Sequence, residues 1–192
     1  MTLLDADLPT AAAIWSLWQR GVVDSRSPMR LPVVGTVGVD GLPELRTVVL
    51  RSAQLDTRQL VLHSDIRAAK VSAIKQRPSL AWHFWNPRHR LQLRASGPAR
   101  LHLSGPILDT AWARLSDHQK RTYAATAPPA STLEEAGDGL PPLQQAESGR
   151  ANFCVVAGTI NHIDVLQLRR GGHRRCLLSW SEDRWSAQWV VP

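Results

Sequence analysis

The sequence is poor in cysteine and has no long apolar run. Its two cysteines, Cys154 and Cys176, are too few for a disulfide framework and too far apart for a CxxC metal-binding pair. No stretch approaches the roughly 20 apolar residues that cross a bilayer. Asp5 and Asp7 stand near the start, where a secretory signal peptide carries positive charge. We therefore expect a metal-free protein of the cytoplasm with no membrane partner.

Lysine is also scarce, yet the chain is strongly basic. Its 192 residues include 23 Lys and Arg against 16 Asp and Glu, which gives a formal net charge of +7. Only Lys70, Lys75 and Lys120 are lysines, and arginine suits bidentate binding of phosphate groups. With 43% hydrophobic and 20% charged residues, the composition is typical of one globular domain over 1–192 with an anionic partner.

Hydrophobic periodicity predicts a mainly β protein with peripheral helices, of the α+β class. We expect helices over 9–20, 66–76 and 106–125, and strands over 31–39, 45–51, 60–63, 80–85, 90–103, 153–160, 163–169, 173–180 and 185–191. The pairs Asp40-Gly41 and Gly171-Gly172 favour hairpin turns. The stretch 128–149, rich in Pro, Gly, Ala and Glu, is expected to form a long loop or lid. Short connections between many strands indicate a small antiparallel barrel.

The junction that follows the strand ending at His63 carries cations in an unusual place. Ser64 or Asp65 is expected to cap the next helix, so Arg67 and Lys70 fall near its N-terminus, where the helix dipole disfavours positive charge. Ser64, Arg67 and Lys70 are spaced i, i+3 and i+6, and a bound phosphate would satisfy the hydroxyl, the free N–H groups and both cations. The alternative is a solvated basic helix face.

The segment 46–51, Arg-Thr-Val-Val-Leu-Arg, places a guanidinium at each end of an apolar run. If Val48 and Leu50 face the core, the alternate side chains, including Arg51, form a ligand-facing surface that is both apolar and cationic. The alternative is an ordinary strand with charged ends.

Together these segments resemble the pyridoxamine 5'-phosphate oxidase family of FMN-binding split barrels. The similarity lies in R-T-V-V-L-R, a short strand ending in Ser, a helix with Lys six residues later, and a long strand containing Leu-Gln-Leu at 91–93. It continues through 164–167, the Gly-Gly turn, His-Arg-Arg at 173–175 and the closing segment 185–192. The resemblance implies an antiparallel split β-barrel that forms a homodimer with FMN at the interface.

The resemblance also implies roles for individual residues. Arg46 and the backbone around 48–49 would contact the flavin and ribityl region, Ser64 and Lys70 the phosphate, and Gln92 the flavin ring. Arg51 stands where the family has a Lys near the substrate. The candidate cofactor-binding residues are Arg46, Thr47, Val48, Val49, Leu50, Arg51, His63, Ser64, Arg67, Lys70 and Gln92.

The substrate side departs from the family pattern. The family holds a pyridoxal-type phosphate with a Tyr, an Arg-Pro and a Ser-Gln segment after the long helix, whereas 121–129 contains no Ser-Gln pair here. Leu166 stands where the family often has Trp, and Leu178 or Ser179 falls near an expected Arg. The resemblance thus implies an FMN-dependent oxidoreductase acting on a different small anionic substrate. Its candidate substrate residues are Arg51, Arg174 and Arg175, and no catalytic side chain is assigned.

Two other functions stay open from the sequence. The barrel could hold a flavin, F420 or haem without turnover, although a phosphate-binding junction favours a ligand with a terminal phosphate. The basic charge and eight Trp residues could serve single-stranded nucleic acid, but Trp15, Trp18 and Trp112 lie on expected core faces. The histidines show no metal-ligand spacing.

Overall fold

Ten strands and four α-helices lie in the part of the chain that the computed structural model describes, namely residue 3 and residues 7–192. The acidic start around Asp5 lies outside it. The strands are β1 (Val33–Val37), β2 (Pro43–Thr47), β3 (Ser52–Gln54), β4 (Gln59–Asp65), β5 (Ser79–Asn86), β6 (Leu91–His102), β7 (Phe153–Thr159), β8 (His162–Gln167), β9 (Arg174–Ser181) and β10 (Arg184–Val190). The helices are α1 (Ala11–Val23), α2 (Ala69–Gln76), α3 (Pro106–Ala113) and α4 (Asp117–Arg121), and a 3-10 helix covers Leu143–Asn152.

Strand β6 joins the two halves of the barrel. Its first half pairs with β5 and β8, and residues 99–102 pair with β7. One half of the sheet runs in the order β10-β9-β8-β6-β5-β1-β2, and the other continues from β6 through β7 and β4 to β3. Every pairing is antiparallel, so the antiparallel barrel with outer helices predicted from the sequence is confirmed.

Gly97 marks the point where β6 leaves β8 for β7. A Cβ atom at this position would lie 1.9 Å from the carbonyl oxygen of Thr159, at the end of β7. Just before it, the carbonyl of Ser96 accepts a hydrogen bond from Asn161, in the turn between β7 and β8. The two backbones are therefore too close for any side chain, and glycine permits the split.

Helix α1 packs its buried face against the core of the barrel. The Thr10 hydroxyl accepts a hydrogen bond from the backbone N–H of Ala13, at 3.2 Å, and so caps the helix. This cap starts the helix at residue 11, and the intrahelical pattern continues to Val23, so the expected bounds of 9–20 are shifted towards the C-terminus. The buried face carries Trp15 and Trp18, as the periodicity predicted.

The core fills the barrel and is separate from a smaller cluster outside it. The main cluster includes Trp15, Trp18, Trp82, Phe84 and both cysteines, which are free. The smaller cluster covers the outer face of β7 and includes Leu108, Trp112, Leu115, Phe153 and Val155. Helix α3 therefore lies against the outside of the β4–β7 sheet, where it forms one wall of the site described below.

The turn predictions were correct, but several elements differ from expectation. The Asp40-Gly41 pair joins β1 to β2, with Gly41 at φ +86, and the Gly171-Gly172 pair joins β8 to β9. The strand expected over 45–51 ends at residue 47, because residues 48–51 leave β1 and cross to β4. The backbone N–H groups of Val48, Leu50 and Arg51 donate to the carbonyls of Pro32, Arg30 and Val61.

The helix expected over 106–125 is broken into α3 and α4. Ser116 caps α4, because its hydroxyl accepts from the Gln119 N–H while the Gln119 side chain accepts from the Ser116 N–H. The loop expected over 128–149 is irregular only to residue 142, after which the 3-10 helix begins.

Candidate functional site

The strand-to-helix junction after β4 brings Ser64 and Lys70 together. Ser64 is buried in the penultimate position of β4, and Lys70 lies in the first turn of α2, with its Nζ 3.2 Å from the Ser64 hydroxyl. Residues 65–68 form a turn, because the Ala68 N–H bonds the carbonyl of Asp65. Helix α2 therefore begins at residue 69 rather than 66, and its first N–H groups have no side-chain cap.

Arg46 adds a second cation to this junction from the end of β2. Its guanidinium donates to the Thr36 hydroxyl at 2.7 Å and pairs with Glu44. Burial, followed by the charge of Arg46, lowers the pKa of Lys70 below its usual value. The nearby carboxylates Glu44 and Asp65 are paired with Arg46 and Arg67, so the charge of Lys70 is left in excess, with a hydroxyl and open helix N–H groups nearby. A phosphate group fits this donor set, because it would neutralise the excess charge.

Arg67 does not share a helix face with Lys70, which corrects the spacing argument made from the sequence. Because it precedes the first residue of α2, its side chain turns back to the Asp65 carboxylate, with Nη2–Oδ2 at 2.7 Å and Nε–Oδ1 at 3.0 Å. The same guanidinium donates to the carbonyls of Ala125 and Thr126. Arg67 therefore links the junction to the start of the irregular segment 126–140, the 126–140 loop, which lies between α4 and the 3-10 helix.

A cleft of about 580 Å³ lies between α3 and the outer face of β3, β4 and β7. Its polar and basic lining residues are Arg51, Ser52, Gln54, Gln59, His63, His102, Thr110, Arg114 and Gln119. Its apolar lining residues are Val61, Pro106, Ile107, Ala111, Leu115, Val155 and Ala157. None of these described lining residues carries a carboxylate, so the cleft suits an anion with an apolar body.

The ionisation of groups near the cleft follows from burial and from Arg51. Burial and the adjacent Arg51 charge lower the pKa of His63 to about 4, so His63 is neutral at pH 7. Burial raises the pKa of Tyr123 to about 12, with a smaller opposite effect from Arg51. Phe153 contacts both rings edge-on, at 4.9 Å from each. At neutral pH the charges that face the cleft are therefore the guanidiniums of Arg51 and Arg114.

Arg114 and Gln119 are among the cleft residues that sequence reasoning missed. The family pattern places the substrate segment at 121–129, but Arg121 donates to the carbonyls of Leu140 and Pro141 instead. Arg114 follows the last residue of α3, and Gln119 belongs to the capping box of α4. The readable signal was the pattern Ser-x-x-Gln at 116–119, which predicts a new helix start and hence a break at Arg114.

The remaining candidate residues lie on the other half of the sheet. Gln92, in β6, lies beside His83 of β5, with Oε1 and Nε2 3.2 Å apart. Arg175, in β9, makes two hydrogen bonds to Asp164, which also accepts from Arg94. Burial acts to raise the pKa of Asp164, but the bonds from both arginines outweigh it and lower the pKa.

Within this single chain the predicted site residues therefore form separate groups. Arg46, Ser64 and Lys70 meet at the junction, and Arg51 and His63 line the cleft. Arg174 and Arg175 are not among the cleft residues, and Arg175 is engaged by Asp164.

None of the helices in the described part of the chain has both the length and the apolar character needed to cross a membrane. Nor do its His, Cys, Asp and Glu side chains form any group of three or more that could hold a metal ion.

Comparisons with known proteins agree with this architecture. Residues 13–103 match the family model of the pyridoxamine 5'-phosphate oxidase FMN-binding domain. The chain is 21% identical to pyridoxine/pyridoxamine 5'-phosphate oxidase 2 from Arabidopsis thaliana over 172 residues, which cover 83% of this chain and 86% of the relative.

Two solved structures extend the match over nearly the whole chain. A pyridoxamine 5'-phosphate oxidase-related, FMN binding protein from Nostoc punctiforme superposes with a TM-score of 0.79 at 28% identity, covering 98% of this chain and 100% of that chain. PhzG from Burkholderia lata, in complex with tetrahydrophenazine-1-carboxylic acid, shares the fold with a TM-score of 0.74 at 14% identity, covering 94% and 92%. The resemblance and the split-barrel fold expected from the sequence are confirmed.

Proposed function

We propose that this chain, whose residues 13–103 match the family model of the pyridoxamine 5'-phosphate oxidase FMN-binding domain, is an FMN-dependent oxidoreductase acting on a small anionic substrate. The observation that carries the proposal is the position of two cationic sites on neighbouring parts of β4. One is the junction of Ser64 and Lys70 with Arg46, and the other is the cleft that contains Arg51.

The junction would hold the FMN phosphate. Lys70 and Arg46 would supply charge, and the Ser64 hydroxyl would donate a hydrogen bond. Arg67 would support the phosphate site indirectly, because its guanidinium is bound to Asp65 and to the loop carbonyls. Residues 48–49 connect Arg46, at the junction, to Arg51, in the cleft, which supports a role for their backbone along the flavin. Gln92 would contact the flavin ring from β6.

Bound FMN supplies the hydride and electron chemistry of such an enzyme. The protein's own contribution would be to orient the substrate and to balance its charge. Arg51 and Arg114 would bind the anionic group of the substrate, and the apolar lining of the cleft would contact its body. Because neither guanidinium loses its proton at physiological pH, this charge would stay fixed during a reaction.

The quaternary structure and location belong to the same proposal. We infer a homodimer with FMN at its interface, in which Arg174 and Arg175 would approach the substrate site of the partner. The cytoplasmic location is in keeping with the two free, buried cysteines. Because the segment expected to bind a pyridoxal-type phosphate differs in sequence, we propose a substrate other than pyridoxamine 5'-phosphate.

The test is anaerobic reduction of the FMN-loaded protein by candidate substrates, followed at the visible flavin absorption band. We expect an anionic substrate to bleach the band and oxygen to restore it. Arg51→Met and Arg114→Met should slow the bleaching at subsaturating substrate, whereas the exposed control Arg88→Met should not. Rapid turnover of pyridoxamine 5'-phosphate, at about 10 per second or more, would contradict the different substrate. A flavin that responds only to dithionite would contradict the oxidoreductase and favour a non-catalytic binding protein.

A further inference from the structure

His63 and His102 lie on one row of the sheet that forms the floor of the cleft. His63 in β4 is directly opposite Val155 in β7, and His102 in β6 is opposite the same valine. Residues paired in this way point to the same face. The strands are about 4.8 Å apart, so the two histidines stand about 10 Å apart on either side of Val155.

The two ring nitrogens of His63 have different surroundings. Nδ1 is completely buried and has no hydrogen-bond partner. Nε2 likewise makes no hydrogen bond with any described residue. Unlike Nδ1, it is not among the fully buried atoms without a partner, and His63 lines the cleft. Nε2 is therefore the nitrogen that a molecule in the cleft can reach.

The proton of the neutral ring belongs on Nε2. An N–H group buried without an acceptor is rarer in proteins than a buried acceptor without a donor, so protonation at Nδ1 would be the costlier tautomer. Burial and the charge of Arg51 lower the pKa of His63 and keep the ring neutral. Nε2–H is thus a hydrogen-bond donor with no partner among the described residues, beside the apolar part of the cleft floor.

We propose that His63 is a substrate-positioning residue, whose Nε2–H donates to an acceptor atom on the ring of a planar anionic substrate held by Arg51 and Arg114. The inference rests on the proposed function and refines it, because His63 was expected to contact the cofactor. The ring would lie over Val61, Val155 and Ala157, the apolar part of the cleft floor. The substrate would then need three features: a flat apolar body, a negative group and a separate hydrogen-bond acceptor.

A purely structural role for His63 must be distinguished from this one. The ring packs edge-on against Phe153, at 4.9 Å, and its removal could disturb the cleft through packing alone. His63→Leu keeps an apolar side chain there but removes the donor, whereas His63→Gln keeps an N–H group at a similar distance from the backbone. The exposed His89, in the turn between β5 and β6, provides the control His89→Leu.

The experiment is isothermal titration calorimetry of FMN-saturated protein with pyridine-3-carboxylate, a flat ring that carries a negative group and a separate acceptor nitrogen. We expect His63→Leu to weaken binding about tenfold or more, and His63→Gln and His89→Leu to stay within about threefold of the wild type. Unchanged binding by His63→Leu would overturn the proposal. Equal losses in the Leu and Gln variants would also overturn it, since packing would then explain the effect, as would failure of the wild type to bind the probe.

The visible flavin spectrum of each protein shows whether it holds FMN, and so tests the proposed function separately from the role of His63. If the wild type holds no FMN, the proposed function fails, and the same titrations on the flavin-free protein still decide the role of His63. Circular dichroism and thermal melting of each variant establish that it is folded.

Discussion

The neutral state of His63 makes the stability of the protein depend on pH in a way that one substitution should remove. The pKa of His63 falls from 6.5 to about 4 on folding, because burial and the charge of Arg51 disfavour the imidazolium. Below pH 6.5 the unfolded chain takes up a proton at this residue that the folded chain does not. The contribution of His63 to the free energy of unfolding is therefore greatest above about pH 7 and is lost as the pH drops towards 4.

The size of the effect follows from the shift. A pKa change of this size contributes at most about 3 kcal/mol to the free energy of unfolding, and about 2 kcal/mol of that contribution is lost between pH 7.5 and pH 5. His63→Gln replaces the imidazole with a group that does not titrate. We expect the variant to lose about 2 kcal/mol less than the wild type over the same interval. Tyr123, whose pKa is raised to about 12, does not change protonation in this range, and His102, on the same row of the sheet, is present in both proteins, so its protonation cancels in the comparison.

The assay is urea unfolding followed by tryptophan fluorescence at pH 7.5 and pH 5, on flavin-free protein so that binding does not contribute. His118→Gln, an exposed substitution on α4, should leave the pH dependence of the wild type unchanged. The reasoning is refuted if His63→Gln loses as much stability as the wild type between the two pH values, since His63 would then be protonated in the folded protein.

Two further substitutions test the fold and the junction. Gly97→Ala should destabilise the protein by more than about 2 kcal/mol in urea unfolding, because the added Cβ would clash with the backbone carbonyl of Thr159. The control Gly171→Ala, at a position with open space around it, should be nearly neutral. Equal stability of the two variants would contradict the close approach of the backbones at Gly97. Arg67→Ala should make the 126–140 loop a preferred site of limited proteolysis because its carbonyls lose their clamp, and cleavage no faster than in Arg88→Ala would contradict that role.

The fold was largely predictable because its main signals are local. Alternation along 90–103 predicts a half-buried strand wherever the chain folds, and the Asp40-Gly41 turn sets the first hairpin. The end of the strand within residues 46–51 could not be predicted, because an apolar run has the same sequence pattern whether it pairs along one strand or crosses between two. Its hydrogen bonds to Arg30 and Val61 depend on the packing of the barrel.

The site was predictable only in part, because its geometry depends on contacts between distant segments. Ser64 and Lys70 are six residues apart and meet through a local turn, so their spacing was informative. The position of the Arg67 side chain depends on Asp65 and on carbonyls 58 and 59 residues away in the sequence, and residue spacing alone does not predict these contacts. Arg114 faces the cleft because Ser116 restarts the helix, and that capping signal was present in the sequence but not used.

The most direct test of the account is the affinity for FMN of the wild type, Lys70→Ala and Lys75→Ala, measured by quenching of flavin fluorescence. Lys75 lies exposed on the same helix and serves as the matched loss of charge. We predict that the wild type and Lys75→Ala bind FMN alike, and that Lys70→Ala binds it about ten to a hundred times more weakly, as expected for the loss of one charged hydrogen bond to a phosphate. A wild type that does not bind FMN, or a Lys70→Ala variant that binds it as tightly as Lys75→Ala, would contradict the proposed phosphate site.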